Sequence, residues 1–420
     1  MSEKTSSSSR RPALAGLRVI DLSRVLAGPT CAQTLADLGA DVVKIERPGV
    51  GDDTRPWGPP WLPDAQGEPT RDSTYFSSAN RNKRSIEIDL ANDAGAALAR
   101  RLAQQADVLI ENYKVGDLAR RGLDYPTLSK LNPRLVYCSI TGFGQTGPLR
   151  ERPGYDYIFQ GVGGLMSVTG HPDGVPGGGP MKIGASIVDL STGLYAGIAI
   201  LAALREREAS GLGQYIDMAL FDTVAAISMH QAASFFQTGR IPVRAGTSSA
   251  GIMMPYETFK CADGYLIVAC GNNSQWQSLC AALARPDLAS DPRLATPSSR
   301  QINRDFALEE LRKTFAAGKV DDLVVKLDAG GVPNGRINNL KEVFEMEQAR
   351  SRGLKIEIER SDGTKVAGVG SPIRLSATPV EYRSAAPKLG EHAADVLKDW
   401  LGVGAHEVEQ LRAAGALGRA

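Results

Sequence analysis

At 420 residues, of which 42% are apolar, the chain has material for two or three domains with sizeable cores. A formal net charge of +1 supplies no global field for nucleic acid or an anionic membrane surface, so an anionic ligand must be held by local basic groups. The 5 cysteines (Cys31, Cys138, Cys261, Cys270, Cys280) form no C-x-x-C pair and only 4 histidines accompany them, so no metal site is expected and a reducing, cytoplasmic setting is.

Residues 1–12 are Ser-rich, lack the apolar stretch of a secretory signal and read as a disordered lead. A short buried strand is predicted over 17–22 and a helix over 29–38, with Pro29 suited to its first turn. Gly39 closes that helix and a second strand follows over 41–46. This is a βαβ unit of about 30 residues, the mark of a parallel sheet covered by helices. The pattern recurs: strand 85–90, helix 93–105, strand 108–110, helix 125–131, strand 135–140. A Gly/Pro-rich stretch over 161–184 precedes a long apolar helix over 190–206. Its longest apolar run, 194–204, is shorter than the ~20 residues a membrane span needs. Strand 214–220 and helix 221–237 follow, then a linker over 239–251. A compact unit holds strand 265–270 and helices from 275 to about 327. Alternation over 354–375, with a turn at Asp362-Gly363, reads as a hairpin. A final helix covers 391–401.

Four places carry candidate chemistry. The loop from Ser23 to Pro29 joins a strand to a helix start, where free amides attract anions. It has only Gly28 of the G-x-G-x-x-G that a dinucleotide site requires, so it reads either as an anion loop or as a tight structural turn. Basic residues follow strand ends, Arg47 among them, and Lys83 and Arg84 precede another strand. Such residues are surface charges or, taken together, phosphate ligands beyond the sheet edge. Asp189 begins the long apolar helix after glycine-rich chain. It reads as a helix cap, or as a carboxylate that the helix amides keep ionised for nucleophilic attack. Asp156, in Gly154-Tyr155-Asp156, is a second acid or a turn residue.

The order of these motifs resembles the family III CoA transferases. Its strongest pieces are Leu17-Arg-Val-Ile-Asp-Leu-Ser-Arg-Val-Leu-Ala-Gly-Pro29 and Leu38-Gly-Ala-Asp-Val-Val-Lys-Ile-Glu-Arg47. Asn82-Lys-Arg-Ser85, Gly154-Tyr-Asp156, the Asp189 helix, Gly331-Val-Pro333 and Leu389-Gly-Glu-His392 follow in sequence. The resemblance implies an α/β fold with a large Rossmann-like domain, a smaller α/β domain, and two copies interlocked as a homodimer. It implies a division into the lead (1–12), the large domain (13–215), a linker (216–250), the small domain (251–330), and a closing segment (331–420) that returns to the large domain.

By resemblance the nucleophile is Asp189. Coenzyme A would contact Arg24, Ala27, Arg47, Lys83, Arg84, Asn112, Arg120, Thr141 and Phe143. The acyl group and its oxyanion would lie near Leu26, Gly28, Tyr155 and Asp156. Leu26 replaces a polar residue of the formyl-CoA branch, which argues against formate or oxalate. Racemases of the family carry histidine where Tyr155 stands, and without that imidazole two-base exchange at an α-carbon lacks one base. A CoA transferase is therefore expected, with an acyl-CoA and a small carboxylic acid as partners and no permanently bound cofactor. Residues 331–344 resemble the branch that pairs succinyl-CoA with dicarboxylates such as glutarate. An α-methylacyl-CoA racemase and a non-catalytic nucleotide-binding protein are the alternatives.

Overall fold

A computed structural model describes residues 11–248 and 253–418. Except for Arg11 and Pro12, the expected lead lies outside the described residues, as does part of the 239–251 linker. Two compact units are present: the described residues of Met1–Gly163, Gly184–Met229 and Gln348–Ala420 form the first, and those of Gly164–Ile183 and His230–Glu347 the second.

The first unit is built on six parallel strands. They are β1 (Arg18–Asp21), β2 (Asp41–Glu46), β3 (Lys83–Glu87), β4 (Val108–Glu111), β5 (Val136–Thr141) and β6 (Tyr215–Ala219). Their spatial order is β3-β2-β1-β4-β5-β6, the doubly wound dinucleotide-fold order. Helices on both faces exclude water, which is why β4 and β5 are buried at every position. On one face helix α2 (Asp93–Gln104) packs Leu98 and Leu102 against Ile20, Val43 and Leu109, joined by Leu397 and Trp400 from the closing segment.

Helix α1 (Ala27–Asp37) and the 24-residue helix α4 (Ile187–Ser210) pack on each other, and the short helix α3 (Asp156–Val162) packs against α4. Glycine sets the α1–α4 approach: a Cβ at Gly193 would lie 2.5 Å from the Ala27 carbonyl oxygen. By length and composition α4 is apolar enough to cross a membrane, with a mean hydropathy of 1.8 over its most apolar window. Its inward residues Val188, Ala196 and Ile200 are buried in the first unit.

The second unit holds an antiparallel sheet of Tyr256–Lys260, Tyr265–Ala269 and Asn334–Arg336, with Tyr265–Ala269 central. Its core joins Phe259, stacked on Phe315 at 4.3 Å between ring centres, to Trp276, Leu266 and Leu311.

These units correct the expected boundaries. Residues 216–229 are not linker, because β6 completes the large sheet. Gly164–Ile183 belongs to the second unit, as does 331–347, whose strand Asn334–Arg336 pairs with Tyr265–Ala269. The chain returns to the first unit from Gln348 onward.

Candidate active site

In this strand order the crevice for a ligand opens beyond the carboxyl ends of β1 and β4, where successive connections leave in opposite directions. Arg24, Val25 and Leu26 follow β1 there, and Asn112 and Tyr113 follow β4. The two loops are tied together: the Arg24 amide donates to Asn112 Oδ1 (2.9 Å) and Asn112 Nδ2 donates to the Arg24 carbonyl (2.7 Å). Val25 has φ +73°, a left-handed conformation that a β-branched residue adopts only where its surroundings enforce it.

A buried ionic network supports this loop. Asp21, at the end of β1, accepts from the Ser23 hydroxyl and from Lys83 Nζ (2.9 Å). Lys44 Nζ donates to the Ser23 carbonyl (2.7 Å) and pairs with Asp52 at 2.8 Å. Burial alone would raise the Asp21 carboxyl, but Lys44, Lys83 and Ser23 outweigh it and hold it below the usual carboxylate range. Lys83 also donates to the Pro29 carbonyl (2.9 Å) and Asn80 Oδ1 (2.8 Å). An ammonium has only three donors, so Lys83 is a structural cation with none left for a phosphate. That corrects the expectation that it binds CoA.

Asp189 sits in the first turn of α4, buried, with 9% of its surface exposed. It is not the helix cap. Ser186 holds the cap position but its side chain caps no helix amide. Asp156 performs the capping from a distant segment: its Oδ1 accepts from the amides of Val188 (2.8 Å) and Asp189 (3.1 Å), and its Oδ2 accepts from Gln160 Nε2 (2.6 Å). The helix amides therefore stabilise Asp156 rather than Asp189. Burial, and then the neighbouring Asp156 charge, push the Asp189 carboxyl up to about 7. This reverses the expectation that the helix start holds it fully ionised. The Tyr75 phenol, bonded to the Ser186 side chain, is raised by burial and then by the charge of Asp189. The sequence drew no attention to Tyr75.

One cavity of about 230 Å³ gathers Asp189, Arg24, Leu26, Ala27, Asn112, Thr141 and Tyr155. Val25, Val115, Ile140 and Leu220 add apolar wall, and Asp53, Lys114, Arg150, Glu151 and Arg152 add charged groups. Helix α1 begins there with no side-chain cap, so its first-turn amides remain available for an anion. A second cavity of about 180 Å³ shares Arg24 and Tyr113 with the first and is lined by Arg47, Arg121 and the loop Ile88-Asp89-Leu90-Ala91. That loop was missed. It carries no glycine or charge pattern that marks a site, and only its place at the carboxyl end of β3 puts it there.

Several expected contacts lie elsewhere. Arg84 is at the amino-terminal edge of the sheet, paired with Asp41 at 2.5 Å and Asp399 at 2.8 Å. Arg120 points outward and pairs with Asp117, leaving Arg121 on the cavity wall. Phe143 packs in a ring cluster with Phe159 and Phe221, with centres 5.0 and 5.4 Å away. Gly28 is buried against Ser23, whose Oγ lies 2.2 Å from where a Cβ would be, so its role is close packing. Asp156 does not line the cavity; it acts through the α4 amides.

A buried carboxylate without a cationic partner, at the switch point of a doubly wound sheet beside a basic crevice, is suited to covalent acyl transfer. Comparison with known proteins agrees. The model of CoA-transferase family III matches residues 14–393. The chain belongs to that family. The transferase is 47% identical to a succinate–glutarate CoA-transferase of Agrobacterium fabrum, over 93% of this chain and 96% of the relative. It is 38% identical to the human succinyl-CoA:glutarate CoA-transferase, over 96% of this chain and 90% of that one. A crystal structure of a CaiB/BaiF family protein from Brucella suis superimposes with a TM-score of 0.83 at 45% identity, covering 93% of this chain and all of the other. The chain is thus a CoA transferase acting on CoA thioesters, with a carboxylic acid as acceptor.

Proposed function

We propose that the transferase moves CoA from succinyl-CoA to a dicarboxylic acid of glutarate size, with Asp189 as covalent nucleophile. The observation that carries this reading is Asp189 itself, a buried carboxyl opposed by a second carboxylate and facing a cavity ringed with cations. The printed activities of the relatives from Agrobacterium fabrum and human support the donor and the acceptor class.

The steps balance without a net proton. An ionised Asp189 oxygen attacks the thioester carbonyl, the C–S bond breaks, and CoA leaves as a thiolate with a mixed anhydride behind it. The thiolate then attacks the aspartyl carbonyl, breaking the anhydride C–O bond and releasing succinate. The acceptor carboxylate attacks the resulting aspartyl thioester, CoA leaves again as a thiolate, and its attack on the acceptor's acyl carbon regenerates Asp189. The adenosine phosphates fit the cavity of Arg47 and Arg121, and the acyl end fits that of Asp189. The uncapped first-turn amide of Ala27, which lines the Asp189 cavity, is suited to a developing oxyanion. Incubation with succinyl-CoA alone, followed by intact-protein mass spectrometry and peptide mapping, tests this. An adduct on Asp189 is expected; an enzyme that turns over without labelling Asp189 refutes the covalent route.

The same reading extends to assembly. On α4, Leu194 is 54% and Ile198 63% exposed, an apolar face that a second copy would cover as a homodimer. Sedimentation at micromolar concentration tests it, a monomer being the refuting result. The five cysteines are free and buried, which suits the reducing cytoplasm.

A further inference from the structure

The cations around the two cavities differ in what they already hold. Arg24, between the cavities, pairs with Asp53 at 2.8 Å and lies over the Tyr113 ring. Arg47 is 3.9 Å from the same Asp53. In the Asp189 cavity, Lys114 and Arg152 face the nucleophile's chamber from the loops after β4 and β5. Neither has a carboxylate partner among the described residues; the guanidinium of Arg152 rests only near the Phe143 ring, 5.8 Å from its centre.

Resting on the succinyl-to-glutarate reading above, we propose that Lys114 and Arg152 hold the distal carboxylate of dicarboxylic acyl groups and so select dicarboxylates over monocarboxylates. The reacting carboxylate of the acceptor must approach Asp189, which leaves its other carboxylate in a chamber whose apolar walls include Val25, Leu26, Val115, Ile140 and Leu220, and whose other charged residues are already paired, Arg24 with Asp53 and Arg150 with Glu151. A carboxylate left unpaired against such walls is strongly disfavoured. Two unpaired cations on one side relieve that cost, and the guanidinium adds planar two-point recognition. The phosphates of CoA do not require this pair, since Arg47 and Arg121 line the other cavity.

The test compares glutarate with its monoamide, which keeps length and shape but replaces the distal charge. With succinyl-CoA as donor, the wild-type ratio of kcat/KM for glutarate over monoamide is compared with that of Lys114→Gln, Arg152→Gln and the double variant. Removing charge-assisted contacts should cut the ratio roughly tenfold for each single variant and more for the double, with Arg152→Lys retaining part of it. Equal losses on both acceptors, with the ratio unchanged, would assign these cations to CoA or to its thiolate and overturn the proposal. A wild-type enzyme that does not distinguish the two acceptors would also overturn it. Failure of the underlying reading looks different: the wild type would transfer CoA to neither acid, and the selectivity assignment would fall with it.

Discussion

Two aspartates are buried under the same sheet edge, and their surroundings send them in opposite directions. Asp21 shares its site with two lysines and a serine hydroxyl and is held below the usual carboxylate range. Asp189 meets another carboxylate and rises to about 7. The first arrangement stabilises the anion at all ordinary pH and locks a loop. The second keeps a carboxylate poised between its two forms, which suits a nucleophile and costs stability. A buried charge is structural when its partners are complete and reactive when they are not.

The largest effect should come from removing the reactive member. Asp189→Asn is expected to lower turnover by roughly 10³-fold or more while the thermal unfolding midpoint at pH 8 stays level or rises. A variant that keeps a tenth of wild-type transfer would break the contrast. The structural member should behave the other way. Lys83→Met leaves Asp21 with a missing partner and should destabilise the fold by about 3–5 kcal/mol, read as a lower denaturation midpoint. A variant of unchanged stability that instead loses CoA affinity would return Lys83 to the ligand site.

Arg47 lines the second cavity with a mostly exposed side chain. Arg47→Ala should weaken CoA binding by about 1–3 kcal/mol without moving the denaturation midpoint, with calorimetry as the check. The smallest effect concerns pH. Asp189 must be ionised to attack, so kcat/KM should climb as pH rises through about 7. Asp156→Asn removes the like charge and should move that limb to lower pH. For stability the sign runs in the opposite sense. The folded carboxyl binds its proton more tightly than the unfolded one, near ~3.9. Its contribution is complete below that value and fades as pH rises through about 7. The melting advantage of Asp189→Asn over wild type should therefore grow between pH 5 and pH 8. A constant difference would mean that Asp189 is ionised throughout.

Much of the fold was legible because local pattern and burial coincide. The strand expected over 41–46 is observed as Asp41–Glu46, and the helix expected over 125–131 as Tyr125–Leu131. Both elements are framed by residues that end or start structure. Long-range facts were not legible. Nothing adjacent to Asp189 reveals that Asp156 takes its amides, and nothing beside Lys83 shows that its side chain ends on Asp21 and the Pro29 carbonyl. Side-chain reach is decided by strand register, which a basic cluster in sequence does not encode. Asp189 was singled out as the proposed nucleophile through its family motif; on local grounds it read first as a helix cap.

The contact at Gly193 has a consequence for how this catalyst can vary. The proposed nucleophile is carried by one helix and the candidate substrate loop leads into another, and the gap between the two helices is held by an absent side chain. Adding one methyl group at position 193 would drive a wedge between them a turn away from Asp189, altering the working distance of the reaction without touching any reacting atom. Cavity walls such as Leu26 and Val115 can change size and retune which acid fits, whereas this seam behaves as the fixed gauge of the machine.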